Sequence, residues 1–424
     1  MHRVVVTGLG FVTSIGNSRA EVLSSLREVR TGVEVFAPLF EFDCPVQLAG
    51  TVKGFEFPTP DPFDWILTDH VALKRAELRT MTPNAVFACV AAKEAIADAG
   101  LEPAQVSHRD TGFYCASAGS PWLTHEGLAT VLKRGVSRAT PPSVIASMPN
   151  SLHLNLTSHL RIKGASLSFS SACASSAHAL GSAFDLIRSG RQKTMIVAGA
   201  EDCHPYNVLP FAALRALSVQ TDPTLSPCAF DVQRDGFVVT GGSVVLILEE
   251  RTQAEARGAQ IYAEMAGWGQ ATDGYDVVAP DPSGDGLAAA MRSAMSDAHL
   301  APAAIDYLNA HATSTLAGDL AEVAALKQVF ADGDGPWISS TKSLTGHGLS
   351  LAGAMEAAFC CLALDDEFVP VSAHIRELDP ACGGLKIATA KVEAQPQHAM
   401  SNSSGFGGAN VALIFSKPEA PAGP

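Results

Sequence analysis

Three short segments of this chain occur twice, in the same order, and that duplication constrains the fold more than any other feature. Asp98-Ala99-Gly100-Leu101-Glu102-Pro103-Ala104-Gln105-Val106 resembles Asp297-Ala298-His299-Leu300-Ala301-Pro302-Ala303-Ala304-Ile305. Phe169-Ser170-Ser171, before Cys173, parallels Ile338-Ser339-Ser340, before Lys342. Gly241-Gly242, opening VVLIL, parallels Gly407-Gly408, opening VALIF. A single match could be chance. Three in a shared order point to a chain built from two similar halves.

Each half alternates strand-like and helix-like sequence, which is the signature of an α/β fold. VVVTGLG (4–10), MIVAGA (195–200) and VVLIL (244–248) are short and apolar and read as buried parallel strands. Thr82 stands as a helix cap before Pro83, and Gly100 as the stop. Val86, Phe87, Val90 and Ala91 form a helical apolar stripe between them. FPTPDP (57–62) reads as a surface loop. The chain is expected to divide into halves 1–250 and 251–416, with a disordered tail at 417–424.

Composition excludes several classes. A hydrophobic content of 47% with 17% charged residues suits a compact globule and not a disordered chain. No apolar run approaches the ~18 residues of a membrane span. MHRVVVTGLG leads straight into strand-like sequence without a secretory pattern, so a cytoplasmic protein is expected. The nine cysteines show no C-x-x-C spacing, and Cys360 and Cys361 are adjacent, so neither a zinc site nor a disulfide framework is indicated. A formal charge of −14 argues against a general nucleic-acid binder. An acidic partner has to dock on a local basic patch.

Cys173 lies in Ser170-Ser171-Ala172-Cys173-Ala174-Ser175-Ser176, between a strand-like run and a helix of small residues. A thiol at such a turn sits near a helix N-terminus, where the dipole and free N–H groups favour thiolate and can hold an oxyanion. Most other cysteines read as small buried hydrophobes. His311 (in Asn309-Ala310-His311-Ala312-Thr313-Ser314-Thr315) and His347 (in Thr345-Gly346-His347-Gly348) both follow strand ends, where α/β proteins place their sites. They occupy matching positions of the duplication. His178, on the helix after Cys173, reads as a packed or capping residue.

The run S-A-C-A-S-S-A-H, then N-A-H-A-T-S-T, T-K-S-L-T-G-H-G and S-N-S-S-G-F-G-G-A-N, resembles the β-ketoacyl-[acyl-carrier-protein] synthases of the thiolase superfamily. The type I synthases of dissociated bacterial fatty-acid synthesis are most similar. FDVQRDGFVVTGG (230–242) and AEMAGWGQATDGYDVVAP (263–280) extend the likeness, which covers nearly the whole chain. The resemblance implies a thiolase-like, duplicated αβαβα five-layer fold and a decarboxylative condensation of an acyl chain with a malonyl unit. It implies Cys173 as nucleophile, His311 and His347 completing a Cys-His-His triad, and Lys342 and Glu356 ordering the site. Thr313 and Thr315 match threonines that hold the phosphopantetheine arm. Phe406 matches a gating phenylalanine whose N–H joins that of Cys173 in an oxyanion hole.

No metal and no resident cofactor are implied, since phosphopantetheine arrives on the carrier. Two basic runs, Lys74, Arg75 and Arg79, and Lys133, Arg134 and Arg138, match regions that receive the acyl carrier protein. A homodimer, or a heterodimer with a homologous subunit, is expected. The chain departs from the family pattern at Ala312 (usually Gly), Ser404 (usually Phe), Leu316 (often Pro) and Gly348-Leu349-Ser350. Ser404 removes an aromatic wall and Ala312 adds a methyl beside the arm, so the expected pathway is fatty-acid synthesis or a specialised polyketide, polyene or pigment synthesis. Two rivals are a non-catalytic chain-length-factor subunit, which usually lacks the cysteine, and a thiolase, which usually carries a second C-terminal cysteine.

Overall fold

The computed structural model describes residues 1–68, 73–138, 141–330 and 335–419. Its main sheet has eleven strands, and the duplication is visible in their order. The N-terminal half runs Val4–Val12, Gly242–Glu250, Thr194–Glu201, Thr111–Ala116, Ser166–Phe169. The C-terminal half runs Ala263–Thr272, Ala409–Ser416, His398–Gly405, Tyr307–Asn309, Trp337–Ser339, with the short Lys386–Ile387 outside it. Pairing sense matches place for place: antiparallel, antiparallel, parallel, parallel. The halves meet where Val4–Val6 pair antiparallel with Ala263–Met265.

One expectation needs correcting. The three apolar strands read from sequence exist, and Thr194–Glu201 does pair parallel with Thr111–Ala116, but Val4–Val12 and Thr194–Glu201 both run antiparallel to Gly242–Glu250. Continuous burial had suggested parallel pairing. Here it arises because helices cover both faces: every residue of Val4–Val12 is buried.

The layers follow from those helices. Pro83–Asp98 packs on the outer face of the N-terminal strands, and Asp285–Asp297 on the outer face of the C-terminal strands. Ser175–Arg188 and Ala352–Asp365 pack against each other between the sheets. The result is a five-layer αβαβα stack. Every residue from Ala352 to Leu364 is buried, as befits a helix apolar all round. At the crossing a Cβ on Gly353 would lie 2.6 Å from the Ala177 nitrogen, so only glycine permits that approach. Cys360 and Cys361 are buried there, and all nine cysteines are free.

The first sequence repeat now has a reason. Gly100 (φ 64°) and His299 (φ 56°) each end an outer helix in the left-handed conformation. The following N–H closes the terminus, Leu101 to the Ile96 carbonyl at 3.0 Å and Leu300 to that of Met295 at 2.9 Å. Thr82 precedes its helix as expected, but its hydroxyl faces Ser151 at 3.5 Å and caps nothing. In the tail, the Lys417 N–H donates to the Gln397 carbonyl at 2.8 Å, and Glu419 pairs with Arg3 at 2.9 Å. Residues 420–424 lie outside the described residues. No described helix is long and apolar enough to cross a membrane.

Candidate active site

Cys173 sits in the turn between the strand Ser166–Phe169 and the helix Ser175–Arg188. Ser175 builds that turn: its hydroxyl accepts from the Ser171 N–H at 2.8 Å and donates to the Ala172 carbonyl at 2.6 Å. Ala172 takes the left-handed conformation (φ 51°) to close it. The end of the strand His398–Gly405 presses on the same backbone. A Cβ on Gly405 would meet the Ser171 oxygen at 2.8 Å and the Cys173 nitrogen at 3.1 Å. Glycine at this place in G-F-G-G is thus a contact requirement, and it brings Phe406 alongside the nucleophile.

The C-terminal half supplies the imidazoles. His347 lies after the short helix Lys342–Thr345, its N–H donating to the Val238 carbonyl at 2.6 Å. His311 follows the strand Tyr307–Asn309. The N–H groups of His311 and Ala312 donate to the Glu322 carboxylate at 3.0 and 2.6 Å, and the Asn402 amide donates to it at 3.2 Å. Asp319, one turn earlier on the same helix, accepts from the N–H groups of Ser314 at 3.1 Å and Phe230 at 2.9 Å. Sequence reasoning missed both acids. Their signal was two carboxylates among the apolar residues on the buried face of the helix Leu316–Val329.

These segments bring Cys173, His311 and His347 together. His347 Nε2 is 3.1 Å from the sulfur, and the donor atoms of all three residues lie within 4.8 Å of one another. The two imidazoles meet edge to face with centroids 5.2 Å apart, and Phe237 backs His347 at 5.2 Å. Beneath them, Lys342 hydrogen-bonds Glu356, both side chains being buried.

Burial decides the protonation states. Desolvation holds His311 and His347 well below the usual imidazole range, and the Lys342 cation pushes the same way. Both are therefore neutral at physiological pH. Burial also pushes the Cys173 thiol up to about 12; Lys342 pulls it down, while Glu201 and Glu356 oppose that. Burial thus opposes the thiolate that the helix end favours. Burial likewise raises Glu356 to about 7 against the pull of Lys342, and Glu201 to about 8. Three donors this close could geometrically bind a metal, but the Lys342 cation acts on all three, and a divalent ion would add like charge.

A cavity of about 600 Å³ opens above the triad. Thr313 and Thr315 line it with hydroxyls 3.1 Å apart. Phe406 stands at its wall, 38% exposed, 6.3 Å from the Phe211 ring. Ser404 lines it too, its hydroxyl donating to Asn410 at 2.7 Å, whose amide donates to Asp273 at 2.6 Å. Below Ser404 and His311 lies a side pocket of about 50 Å³. Ala312 lines that pocket and packs in the core, so its methyl does not crowd the main cavity as expected. Leu316 is exposed at the mouth. Ser350 hydrogen-bonds the buried Glu201, a contact between distant segments that no local pattern announced. His178 is pinned between Ser171 at 2.8 Å and Gln270 at 2.9 Å, away from the cavity.

The six basic residues lie elsewhere. Lys74, Arg75, Arg79, Lys133, Arg134 and Arg138 are all exposed. Arg75 and Arg79 cover the Phe63 ring at 4.3 and 5.8 Å. Arg79 and Arg138 meet across a separate cleft of about 250 Å³. None of the six lines the Cys173 cavity.

A duplicated αβαβα fold with a thiol and two neutral imidazoles under one cavity defines a condensing acyltransferase. The chain belongs to the β-ketoacyl synthase family: residues 1–254 match its N-terminal domain and residues 262–376 its C-terminal domain. It is 41% identical to 3-oxoacyl-[acyl-carrier-protein] synthase 1 of Haemophilus influenzae, over 98% of this chain and 99% of that one. It is 38% identical to the enzyme of that name from Escherichia coli K12, over 98% and 99%. Among solved structures, a β-ketoacyl synthase from Burkholderia phymatum superposes with a TM-score of 0.90 at 34% identity, covering 99% of this chain and 100% of that one. A type II PKS acyl-carrier protein in complex with its ketosynthase bound to the hexaketide gives 0.88 at 28% identity, covering 98% and 100%. The chain is accordingly a β-ketoacyl synthase, an acyltransferase that catalyses condensation.

Proposed function

We propose that Cys173 accepts an acyl group from an acyl carrier protein and that this acyl group is then condensed with malonyl-carrier protein, CO₂ being lost. The observation that carries the reading is the 3.1 Å contact between the Cys173 sulfur and a neutral His347 at the floor of the cavity. In the first half-reaction the thiol proton passes to His347 Nε2 as sulfur attacks the acyl thioester. The backbone N–H groups of Cys173 and Phe406 hold the oxyanion, and the departing pantetheine thiolate recovers the proton.

In the second half-reaction the malonyl C–C bond breaks, CO₂ departs, and negative charge gathers on the thioester oxygen. Neutral His311 donates a hydrogen bond to it, and so does His347 once its proton sits on Nε2, the tautomer opposite to the one that accepts the thiol proton; each bond is worth roughly 3–4 kcal/mol in such sites. The carbanion attacks the acyl-Cys173 carbonyl, and the sulfur leaves with its electron pair. Lys342 keeps both imidazoles neutral through its charge, Glu356 anchors Lys342, and Thr313 and Thr315 grip the arm. The arm belongs to the carrier, so no resident cofactor enters.

The carrier docks on the Arg79–Arg138 cleft and the basic residues around it. Ser404, with the side pocket beneath it, supports an acyl or extender unit bulkier than those of ordinary fatty-acid synthesis. A dimer is supported by the edge strand Ser166–Phe169, where Leu167 is 50% exposed, and by the exposed apolar side chains of Leu128, Leu132, Val136 and Val144 nearby in sequence. That dimer is a homodimer in this reading; a solved ketosynthase/chain length factor at 30% identity makes a heterodimer the alternative that native mass spectrometry separates. A cytoplasmic location goes with this carrier-linked chemistry.

Intact-mass measurement after exposure to a panel of acyl carriers tests the proposal. An acyl adduct is expected on the native chain and not on Cys173→Ala. An adduct that persists in the variant, or none on either, removes the proposed nucleophile.

A further inference from the structure

The side pocket beside His311 is a recess of the main cavity. Asp273, His311, Thr313 and Ser404 line both, whereas Cys173 lines only the cavity. At about 50 Å³ the recess takes a group of one or two heavy atoms. Its wall of Ser404, Asn410 and Asp273 has every side-chain hydrogen committed. The Ser404 hydroxyl donates to Asn410 Oδ1 at 2.7 Å. The Asn410 amide donates to Asp273 Oδ1 at 2.6 Å and to the Gly408 carbonyl at 3.1 Å. The Asp281 N–H donates to Asp273 Oδ2 at 3.2 Å. Asp273 is also packed in place: a Cβ on Gly286 would lie 2.0 Å from its Oδ1, and one on Gly408 2.8 Å from its Cβ. What this wall has left to offer is lone pairs, on Ser404 Oγ and on the Asp273 carboxylate.

Those lone pairs select what enters. A carboxylate is repelled, because Asp273, Asp281 and Glu322 line the recess and, among the described residues, no lysine or arginine does. The malonyl carboxylate therefore lies elsewhere until it departs as CO₂. A methyl group fits by size but leaves the acceptors unpaired and cut off from water. A hydroxyl or amino group of the same size supplies the missing hydrogen. The position of the recess says which substrate carries that group. In the reaction proposed above, His311 holds the thioester oxygen of the extender and Thr313 its arm. Carbon 2 of the malonyl unit, which forms the new bond, adjoins that thioester. The acyl chain starts instead from Cys173, outside the recess. Resting on that reaction, we infer that the recess is a subsite for a hydrogen-bond-donating substituent on the extender, a malonyl unit bearing hydroxyl or amino at carbon 2, with Ser404 and Asp273 as its acceptors. The substituent takes no part in the bond changes and is retained in the product.

The test offers acylated enzyme four extenders on the same acyl carrier protein, malonyl, hydroxymalonyl, aminomalonyl and methylmalonyl, and follows product by mass spectrometry. Hydroxyl, amino and methyl are matched in size, so differences among them report hydrogen bonding. In native enzyme, kcat/KM for the hydroxy or the amino extender at least matches malonyl and exceeds methylmalonyl about tenfold. Ser404→Ala cuts that preference over methylmalonyl about fivefold. Ser404→Phe fills the recess and turns the preference toward malonyl; the alanine variant carries the test if the larger side chain disturbs folding. Methylmalonyl condensed as well as the two donors would show a recess that reads size alone. Malonyl preferred over all three by native enzyme would show a recess closed to substituents. A donor preference that survives in both variants would place its source away from Ser404. Each of these overturns the inference and leaves the condensing reaction standing. Acyl-enzyme that condenses none of the four removes the reaction, and the subsite with it.

Discussion

The two halves of the molecule place different chemistry at the same point of one repeated topology. After the strand Ser166–Phe169 the chain turns and presents Cys173 to a cavity; after Trp337–Ser339 it turns and buries Lys342 against Glu356. The difference lies in what surrounds each turn. Ser166–Phe169 is an edge strand with its residues only partly buried, whereas Trp337–Ser339 is flanked on both sides and leads into a fully buried segment. A reactive sulfur needs a route for substrate. A charge that only sets potentials does better in a dry interior, where its field is least screened. Duplication thus supplied two equivalent turns, and burial decided which one meets the substrate.

That contrast can be broken most severely at its buried side. Lys342→Ala leaves Glu356 without its partner and lets the Cys173 thiol rise further, since Lys342 now pulls it down. A fall in kcat of about 100- to 1,000-fold is expected, with a loss of stability of about 3–5 kcal/mol. Steady-state kinetics and denaturant melts check both; native-like kcat would show that the charge is structural only. On the exposed side, the raised thiol predicts a pH dependence. Iodoacetamide modification of Cys173 should accelerate about tenfold per pH unit from pH 7 to 9, because the thiolate fraction keeps growing below a pKa of about 12. A plateau beginning near pH 6 would instead reveal a resting thiolate–imidazolium pair.

Smaller effects sharpen the comparison. Gly405→Ala places a methyl against Ser171 and Cys173 without touching Lys342. Displacement of the nucleophile by a fraction of an ångström should lower kcat about tenfold with little change in melting temperature. Acyl-enzyme formation followed by stopped flow would locate that loss in the first half-reaction. Glu322→Gln retains acceptor oxygen for one of the two N–H groups at His311 and Ala312 but loses the charge that holds both. About a threefold loss is expected, in condensation more than in acyl transfer.

What could be read in advance follows the range of the interactions. The strand-end positions of Cys173 and His311 and the helix stop at Gly100 each depend on a few consecutive residues, and their placement was legible; His347, read as following a strand end, instead follows the short helix Lys342–Thr345. Strand direction was not, because VVVTGLG is buried on both faces and loses the alternation that marks an antiparallel strand. Glu322, Glu201 and Ser350 escaped notice because their partners lie on other segments, and only the folded chain brings them into contact. The thiol pKa escaped for the same reason. A helix terminus is visible in sequence, whereas the depth of the sulfur is not.

The three-pair seam between Val4–Val6 and Ala263–Met265 joins sheets that carry the sulfur on one side and both imidazoles on the other. Turnover therefore reports on how tightly the two sheets are clasped, and should fail in urea before circular dichroism registers any loss of helix.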